Sequence, residues 1–269
     1  MGKISKLERR LLRSLGRANG DFGLIRPGDK VLACVSGGKD SVAMMHLLAL
    51  VKARVPWDFE LHGMLLDQGQ PGFAPEPLVA WMAEQGHEFR IVRQDTYSVV
   101  TDKLEPGETY CSLCARLRRG RLYREAFEAG YDKIAFGHHR DDALETLLLN
   151  LFYAGSIGAM APRFTSDDGR NVMIRPLFYC AEADIAALAS QLNFPILPCG
   201  LCDNQPQQKR QEMKLLLDQL CADNPKVRGN MLAALGNVRA SHLLDPKIRA
   251  AMGCEAWGED PPPSGRSGS

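Results

Sequence analysis

The sequence predicts an α/β fold: an open, mostly parallel five-stranded sheet with helices on both faces, and helical additions at the two ends. Three observations predict it. Short apolar runs alternate along the chain with segments of helical periodicity. The runs are nearly continuous in apolar character, as strands covered on both faces are, and the first of them ends at a glycine pair that opens a helical segment. With 269 residues, 45% of them hydrophobic, the chain can bury a sizeable core and is not globally disordered.

The elements follow in order. Residues 3–17 place Ile4, Leu7, Leu11, Leu12 and Leu15 at helical spacing on an otherwise basic segment. After GDFGLIRPGD, VLACVS reads as a strand and SVAMMHLLALV as a helix. ELHGMLL, EFRIV and YDKIAFG are further strands, with PEPLVAWMAEQG as a helix between the first two. RDDALETLLLNLFYAG and AEADIAALASQLN are helices, and FPILP is the fifth expected strand. From Gln205 onward QPQQKRQEMKLLLDQLC and PKVRGNMLAALGNV are helical and no convincing strand follows. The Pro-, Gly- and Ser-rich end GEDPPPSGRSGS is expected to be disordered. The expected divisions are an N-terminal helical extension over 1–27, a main domain over 28–204 with an inserted cysteine-pair region, a helical region over 205–256 and a tail over 257–269.

With 33 basic and 32 acidic residues the formal net charge is +1, so a nucleic-acid surface must come from local clustering. No secretory signal and no stretch approaching the roughly 20 apolar residues of a membrane span is present, so a soluble, cytoplasmic protein is expected. Eight cysteines in such a chain do not suit a disulfide scaffold. Cys111/Cys114 and Cys199/Cys202 form two CxxC pairs and read as metal-site candidates, while Cys34, Cys180, Cys221 and Cys254 read as buried small residues or bystanders. Spacing alone leaves open a four-cysteine zinc site, an iron–sulfur cluster and redox thiols.

SGGKDS, residues 36–41, lies between a strand and a helix. Gly37 and Gly38 let backbone amides approach phosphate oxygens, Ser36 and Ser41 offer hydroxyls, and Lys39 can neutralise phosphate charge. Neither the GxxxxGK[ST] nor the GxGxxG pattern is present. GHHRDDALET, residues 137–146, places Gly137, His138 and the pair Asp141/Asp142 at a second strand-to-helix junction. The acids can cap the helix or, beside a triphosphate, share a magnesium ion; Asp142 is the first candidate and Asp40 the second. Asp67 and Gln68 in LLDQGQPGF sit at the end of the second strand, where a loop can flank a nucleotide or an incoming base. Arg116, Arg118, Arg119, Arg121 and Arg124, with Lys209 and Arg210, offer local positive charge beside the cysteine pairs; a solvated helix face is the blander reading. His46, inside an apolar helix, reads as a packed histidine, and Tyr110, Tyr123 and Phe136 as packing residues.

SGGKDS in its strand-to-helix setting resembles the PP-loop of ATP pyrophosphatases, which cleave ATP between the α and β phosphates to adenylate a substrate. That resemblance implies an adenine nucleotide α-hydrolase-like fold. SGGKDS, LLDQGQPGF, YCSLCARLRRGRLY, GHHRDDALET and PCGLCDNQPQQKRQ occur here in that order and resemble segments of the tRNA 2-thiocytidine biosynthesis family, from about Gly28 to about His242. The resemblance implies an ATP-dependent tRNA sulfurtransferase acting on cytidine 32 of the anticodon loop, with catalytic Lys39 and Asp40 and an ATP site that includes Ser36 to Ser41, Asp67, Gln68, Gly137, His138 and Asp142. It further implies a [4Fe-4S] cluster on Cys111, Cys114 and Cys199, with Cys202 as the alternate third ligand, and Mg2+ beside the phosphates. A cysteine desulfurase or other sulfur donor and a homodimer are implied as partners. The competing expectations are a 2-thiouridine or other PP-loop tRNA-modifying enzyme, and an RNA-binding protein with a four-cysteine zinc site.

Overall fold

The centre of the sheet is β1 (Lys30–Cys34), which pairs in parallel with β2 (Glu60–Asp67) on one side and β4 (Lys133–Ala135) on the other. The computed structural model describes residues 4–96, 110–197 and 205–253, with side chains for 4–96, 117–197 and 208–253. Among them the sheet has six strands in the order β3-β2-β1-β4-β6-β5, where β3 is Phe89–Arg93, β5 Arg163–Thr165 and β6 Val172–Ile174. All pairings are parallel except β5 with β6.

Two details differ from the five-strand expectation. RFT and VMI form a short edge hairpin around Ser166–Gly169, where Gly169 at φ 73° closes the turn. Set among charged, Asn and Gly residues, these two runs do not register as strands in the sequence. Of FPILP, expected as a strand, the described residues 194–197 lie outside the sheet; Leu197 donates its amide to the Gly37 carbonyl at 3.0 Å instead. Pro195 within the run has no N–H to give a ladder.

Side-chain alternation along β1 makes the two faces. Val31, Ala33 and Val35 point into one cluster, shared with α1 (Lys6–Phe22), α2 (Lys39–Lys52) and α6 (Glu182–Gln191). Leu32 and Cys34 point into the other, covered by Leu122 and Ala126 of α4 (Tyr110–Glu128). The helix α2 is buried continuously from Ser41 to Leu48, and each of its large apolar side chains contributes about 1.5–3 kcal/mol. His46 is packed, as expected, with Nε2 3.0 Å from Oε1 of Glu8, the residue that also closes the capping box on Ser5. The opening helix runs beyond the expected residue 17 to Phe22 and stops at Gly23, whose φ of 57° is the left-handed C-cap.

The elements α3 (Glu76–Glu84) and α5 (Arg140–Leu149) complete the crossovers. The chain forms two compact units, Met1–Leu216 and Leu217–Ser269. The helix α7 (Gln205–Asp223) begins in the first. The second holds the end of α7, α8 (Val227–Leu235) and α9 (Pro246–Ala251), with Arg228 paired to Asp218 at 2.7 Å and Asp245 capping α9. No helix among the described residues is long and apolar enough to cross a membrane.

Candidate nucleotide site

The sheet order reverses at β1: the chain leaves it toward β2 and returns on its other side at β4. In open α/β sheets the crevice at such a reversal, outside the carboxyl ends of the strands, is where ligands bind. Here it is walled by the β1–α2 loop, residues 35–38, and the β4–α5 loop, residues 136–139. These are the two motifs singled out in the sequence.

The first loop is tied by its own serines. The Ser41 hydroxyl donates to the Gly38 carbonyl at 2.8 Å and accepts from the Ser36 amide at 3.0 Å and the Ser36 hydroxyl at 3.2 Å. Gly37 sits at φ 87°, and a Cβ there would also lie 2.8 Å from the Leu197 side chain. Gly38 caps α2 without a side chain, so the first amides of the helix, which have no partner one turn back, face outward with the positive end of the dipole.

The second loop meets this turn at backbone distance. A Cβ on Gly137 would fall 2.9 Å from Asp40 C, Ser41 Cα and Ser41 N. Gly137→Ala is therefore expected to push the two loops apart, lowering stability by about 1–3 kcal/mol and weakening nucleotide binding. Thermal melting with and without ATP measures both.

His139 caps α5. Its Nδ1 accepts from the Asp142 amide at 3.3 Å while its own amide donates to Asp142 Oδ2 at 2.9 Å. Its Nε2 lies 3.6 Å from Asp40 Oδ1. That oxygen is buried without a hydrogen-bond partner among the described residues, which suits a cation or a water shared with phosphate. Asp142 is less open, since Oδ2 serves the cap and Oδ1 is 3.3 Å from Arg210 NH1. His138 is neutral: burial first, and then the charge of Arg175, push its pKa down to about 4. Its Nδ1 accepts from Arg175 Nε at 3.3 Å, which assigns the proton to Nε2.

Lys39 is held by two carboxylates, Asp40 Oδ2 at 3.2 Å and Glu182 Oε1 at 3.1 Å. Burial opposes its charge, but Asp40 and Glu182 override this and raise its pKa above the ordinary range. Glu182 is held in turn by Lys214 at 2.7 Å, and Asp141 Oδ2 accepts the Glu182 amide at 2.8 Å. Burial disfavours the Glu182 carboxylate, yet hydrogen bonds from Lys214 and Lys39 bring its pKa to about 2. Sequence reasoning missed Glu182 and Lys214. Glu182 reads locally as a first-turn acid of α6, and nothing in the sequence ties it to a lysine 143 positions earlier.

Glu145 is buried one turn beyond Asp142, with Arg210 Nε at 3.9 Å. Burial, then the Asp142 charge, raise its pKa from 4.5 to about 7, with Arg210 and Lys214 opposing and Glu182 adding to the rise. The unfolded chain releases this proton near pH 4.5 while the folded chain keeps it to about pH 7. The group's contribution to stability is thus full below the lower value and is lost as pH rises through the upper one. Glu145→Gln in nucleotide-free protein is expected to melt higher than the parent at about pH 8, with the gap closing toward about pH 4.5.

The other expected residues fall as follows. Asp67 and Gln68 close their own turn: Asp67 accepts from the Gly69 amide at 3.0 Å and pairs with Arg93 at 3.4 Å, and Gln68 Oε1 accepts from Thr96 at 3.3 Å. Arg118, Arg119 and Arg124 lie on α4 with no ion pair among the described residues, whereas Arg121 is paired with Glu125. Arg210 reaches Asp142, and Lys209 lies over the Tyr153 ring at 4.4 Å. Cys111 and Cys114 stand one turn apart at the start of α4; their side chains and that of Arg116, and all of Cys199 and Cys202, lie outside the described residues. Cys34 and Cys180 are buried, and burial pushes each thiol up to about 12.

A family model described as a PP-loop domain matches residues 5–196. A tRNA-cytidine(32) 2-sulfurtransferase of Sorangium cellulosum (strain So ce56) is 52% identical over 255 residues, covering 95% of this chain and 90% of that protein. A protein of the same name from Anaeromyxobacter dehalogenans (strain 2CP-C) is 49% identical over 97% of this chain and 90% of its own. Among solved structures, the U34-tRNA thiolase NcsA from Methanococcus maripaludis with its [4Fe-4S] cluster superposes with a TM-score of 0.68 over 94% of this chain and 90% of that one, at 21% identity, a likeness of fold. Matched over most of its length on both counts, the chain belongs to the PP-loop domain family, in the same family as the tRNA-cytidine(32) 2-sulfurtransferases.

Proposed function

We propose that the chain is an ATP-dependent tRNA-cytidine(32) 2-sulfurtransferase, which adenylates C2 of cytidine 32 and replaces its oxygen with sulfur to give 2-thiocytidine. The observation that carries the reading is the crevice in which the helix starts of α2 and α5 meet around Lys39 and the unpartnered Asp40 oxygen. Relatives near 50% identity over almost the whole chain support the substrate.

The amides of Lys39 and Asp40 and the ammonium of Lys39 hold the ATP phosphates. The cytosine O2 attacks the α-phosphorus and the bond to the β-phosphate oxygen breaks, so pyrophosphate leaves. Sulfur then bonds to C2, the C2–O bond breaks, and AMP departs with the former base oxygen. Glu182, fixed by Lys214, aims Lys39 at the charge that develops on pyrophosphate. The neutral His138 offers Nε2–H as a donor to a phosphate or to the base. Mg2+ takes one or two carboxylates with phosphate and water. Asp40 Oδ1 is the carboxylate oxygen not already hydrogen-bonded, and Asp142 joins only by giving up Arg210.

The thiolates of Cys111, Cys114 and Cys199, with Cys202 as the alternate, would hold the [4Fe-4S] cluster. The donor set fits: soft thiols one helical turn apart on α4, while Cys34 and Cys180 are packed in the core. When bound, the cluster supplies an iron without a protein thiolate, where reactive sulfur is kept from bulk water. Arg116, Arg118, Arg119 and Arg124 meet tRNA phosphates around the anticodon loop, and Lys209 and Arg210 on α7 add further positive charge. A cysteine desulfurase or similar donor supplies persulfide sulfur, which two electrons from a thiol reductant bring to the sulfide level, and two copies of the chain assemble around the tRNA.

The test is nucleoside analysis of tRNA from cells with and without the gene. Loss of 2-thiocytidine is expected. Unchanged 2-thiocytidine with loss of 2-thiouridine rejects the cytidine assignment.

A further inference from the structure

The helix that carries the second site motif ends in an unusual way. The helix α5 passes into a π-helical turn, Asn150–Ala154, which presents three consecutive large apolar side chains to solvent: Leu151 at 45% exposure, Phe152 at 56% and Tyr153 at 53%. Ile157, three residues beyond the turn, is 72% exposed. A helix in a layered fold turns such residues to the core, as α5 does with Ala143, Leu144 and Leu148. A single π turn inside a helix shifts that register and is frequent at functional sites.

The segment is built to hold this pose. Gly155, at φ 63°, and Ser156 both donate their amides to the Asn150 carbonyl, the latter at 3.1 Å. The Asn150 side-chain amide donates to the Gly158 carbonyl at 2.7 Å, closing the loop from both ends. Across it, Lys209 Nζ lies 4.4 Å from the centre of the Tyr153 ring, and the Tyr153 hydroxyl donates to Glu212 at 3.3 Å. The next residue, Arg210, reaches Asp142 in the first turn of α5. One turn of α7 therefore touches both the aromatic patch and the nucleotide crevice.

Two exposed aromatic side chains, one of them with a cation over its ring, suit a ligand that has a π face and a negative charge a few ångströms from it. An unstacked nucleotide of single-stranded RNA has both. We infer that Phe152 and Tyr153 form a stacking platform for an anticodon-loop base beside the reacting cytidine, with Lys209 on the adjoining phosphate. This rests on the tRNA reading above and adds to it a surface that holds the loop open while the cytidine enters the crevice. Leu151 and Ile157 widen the apolar floor and are not stacking groups.

The test uses the full chain, prepared anaerobically, with unmodified tRNA carrying 2-aminopurine next to cytidine 32. Wild-type protein is expected to quench the probe. Phe152→Leu and Tyr153→Leu keep apolar bulk but lose the ring; each is expected to weaken tRNA binding about tenfold and to abolish part of the quench. Tyr153→Phe keeps most of both, and ATP binding and melting temperature stay at the parent value. Unchanged tRNA affinity and quench in both leucine variants overturn the platform. A change in self-association by sedimentation, with tRNA binding intact, overturns it in favour of an interface between copies. Failure of the wild type to bind tRNA at all rejects the underlying tRNA reading, a result distinct from either.

Discussion

Cys111→Ala and Cys114→Ala are each expected to lower 2-thiocytidine formation by more than about 100-fold, with loss of protein-bound iron and unchanged ATP binding. An alanine offers no donor, and the two cysteine positions sit one turn apart at the start of α4, so neither can be replaced by a neighbour on the same helix face. The other described buried thiols cannot stand in. Cys34 and Cys180 are packed into the two core clusters on either face of the sheet, away from any ligand that approaches from solvent. Arg124→Gln, on the exposed end of the same helix, is expected to leave iron content intact and weaken only tRNA binding. Iron and labile sulfide per chain after anaerobic purification separate the two effects. Normal thiolation by either cysteine variant removes that residue from the site. Comparison of Cys199→Ala with Cys202→Ala identifies the third ligand: the assignment to Cys199 fails if only the latter loses cluster and activity.

Lys39→Ala is expected to reduce ATP-dependent thiolation by about 100- to 1000-fold through loss of the adenylation step. The ammonium is kept charged by Asp40 and Glu182 and is placed at the start of α2, where the helix dipole adds to it. Its loss also leaves Glu182 with Lys214 alone, so negative charge faces the incoming phosphates. Glu182→Gln is the graded companion. It keeps the hydrogen-bonding shape but lowers the constraint on Lys39, and is expected to cut the adenylation rate by less than the lysine variant while leaving tRNA affinity unchanged. Pyrophosphate release in the presence of tRNA reads the step directly.

What could be read from the residues alone was the body of the fold and the two loops of the crevice. VLACVS, ELHGMLL, EFRIV and YDKIAFG are apolar runs between helical segments, and all four contain strands of the sheet. SGGKDS and GHHRDDALET were legible because glycine at a strand-to-helix junction has a backbone reason. Gly37 needs a positive φ and Gly137 has no room for a Cβ. The edge hairpin was not legible, because RFT and VMI are short runs set among charged, Asn and Gly residues, and FPILP misled because an apolar run beside prolines can pack on a loop as readily as enter a sheet. The residues that aim Lys39, namely Glu182 and Lys214, were hidden for a different reason. Each is an ordinary helix acid or base until tertiary structure brings α6 and α7 to the crevice. The exposed run Leu151–Tyr153 looked like the end of an amphipathic helix, and only the π turn revealed that it faces outward.

Anaerobic reconstitution of the purified chain with ATP, magnesium, a sulfide source and unmodified tRNA, followed by nucleoside analysis, tests the proposed reaction most directly. The expected result is 2-thiocytidine at position 32, dependent on ATP and accompanied by AMP and pyrophosphate. Iron-loaded protein that binds ATP and tRNA yet forms no 2-thiocytidine, or forms it equally without ATP, would contradict it.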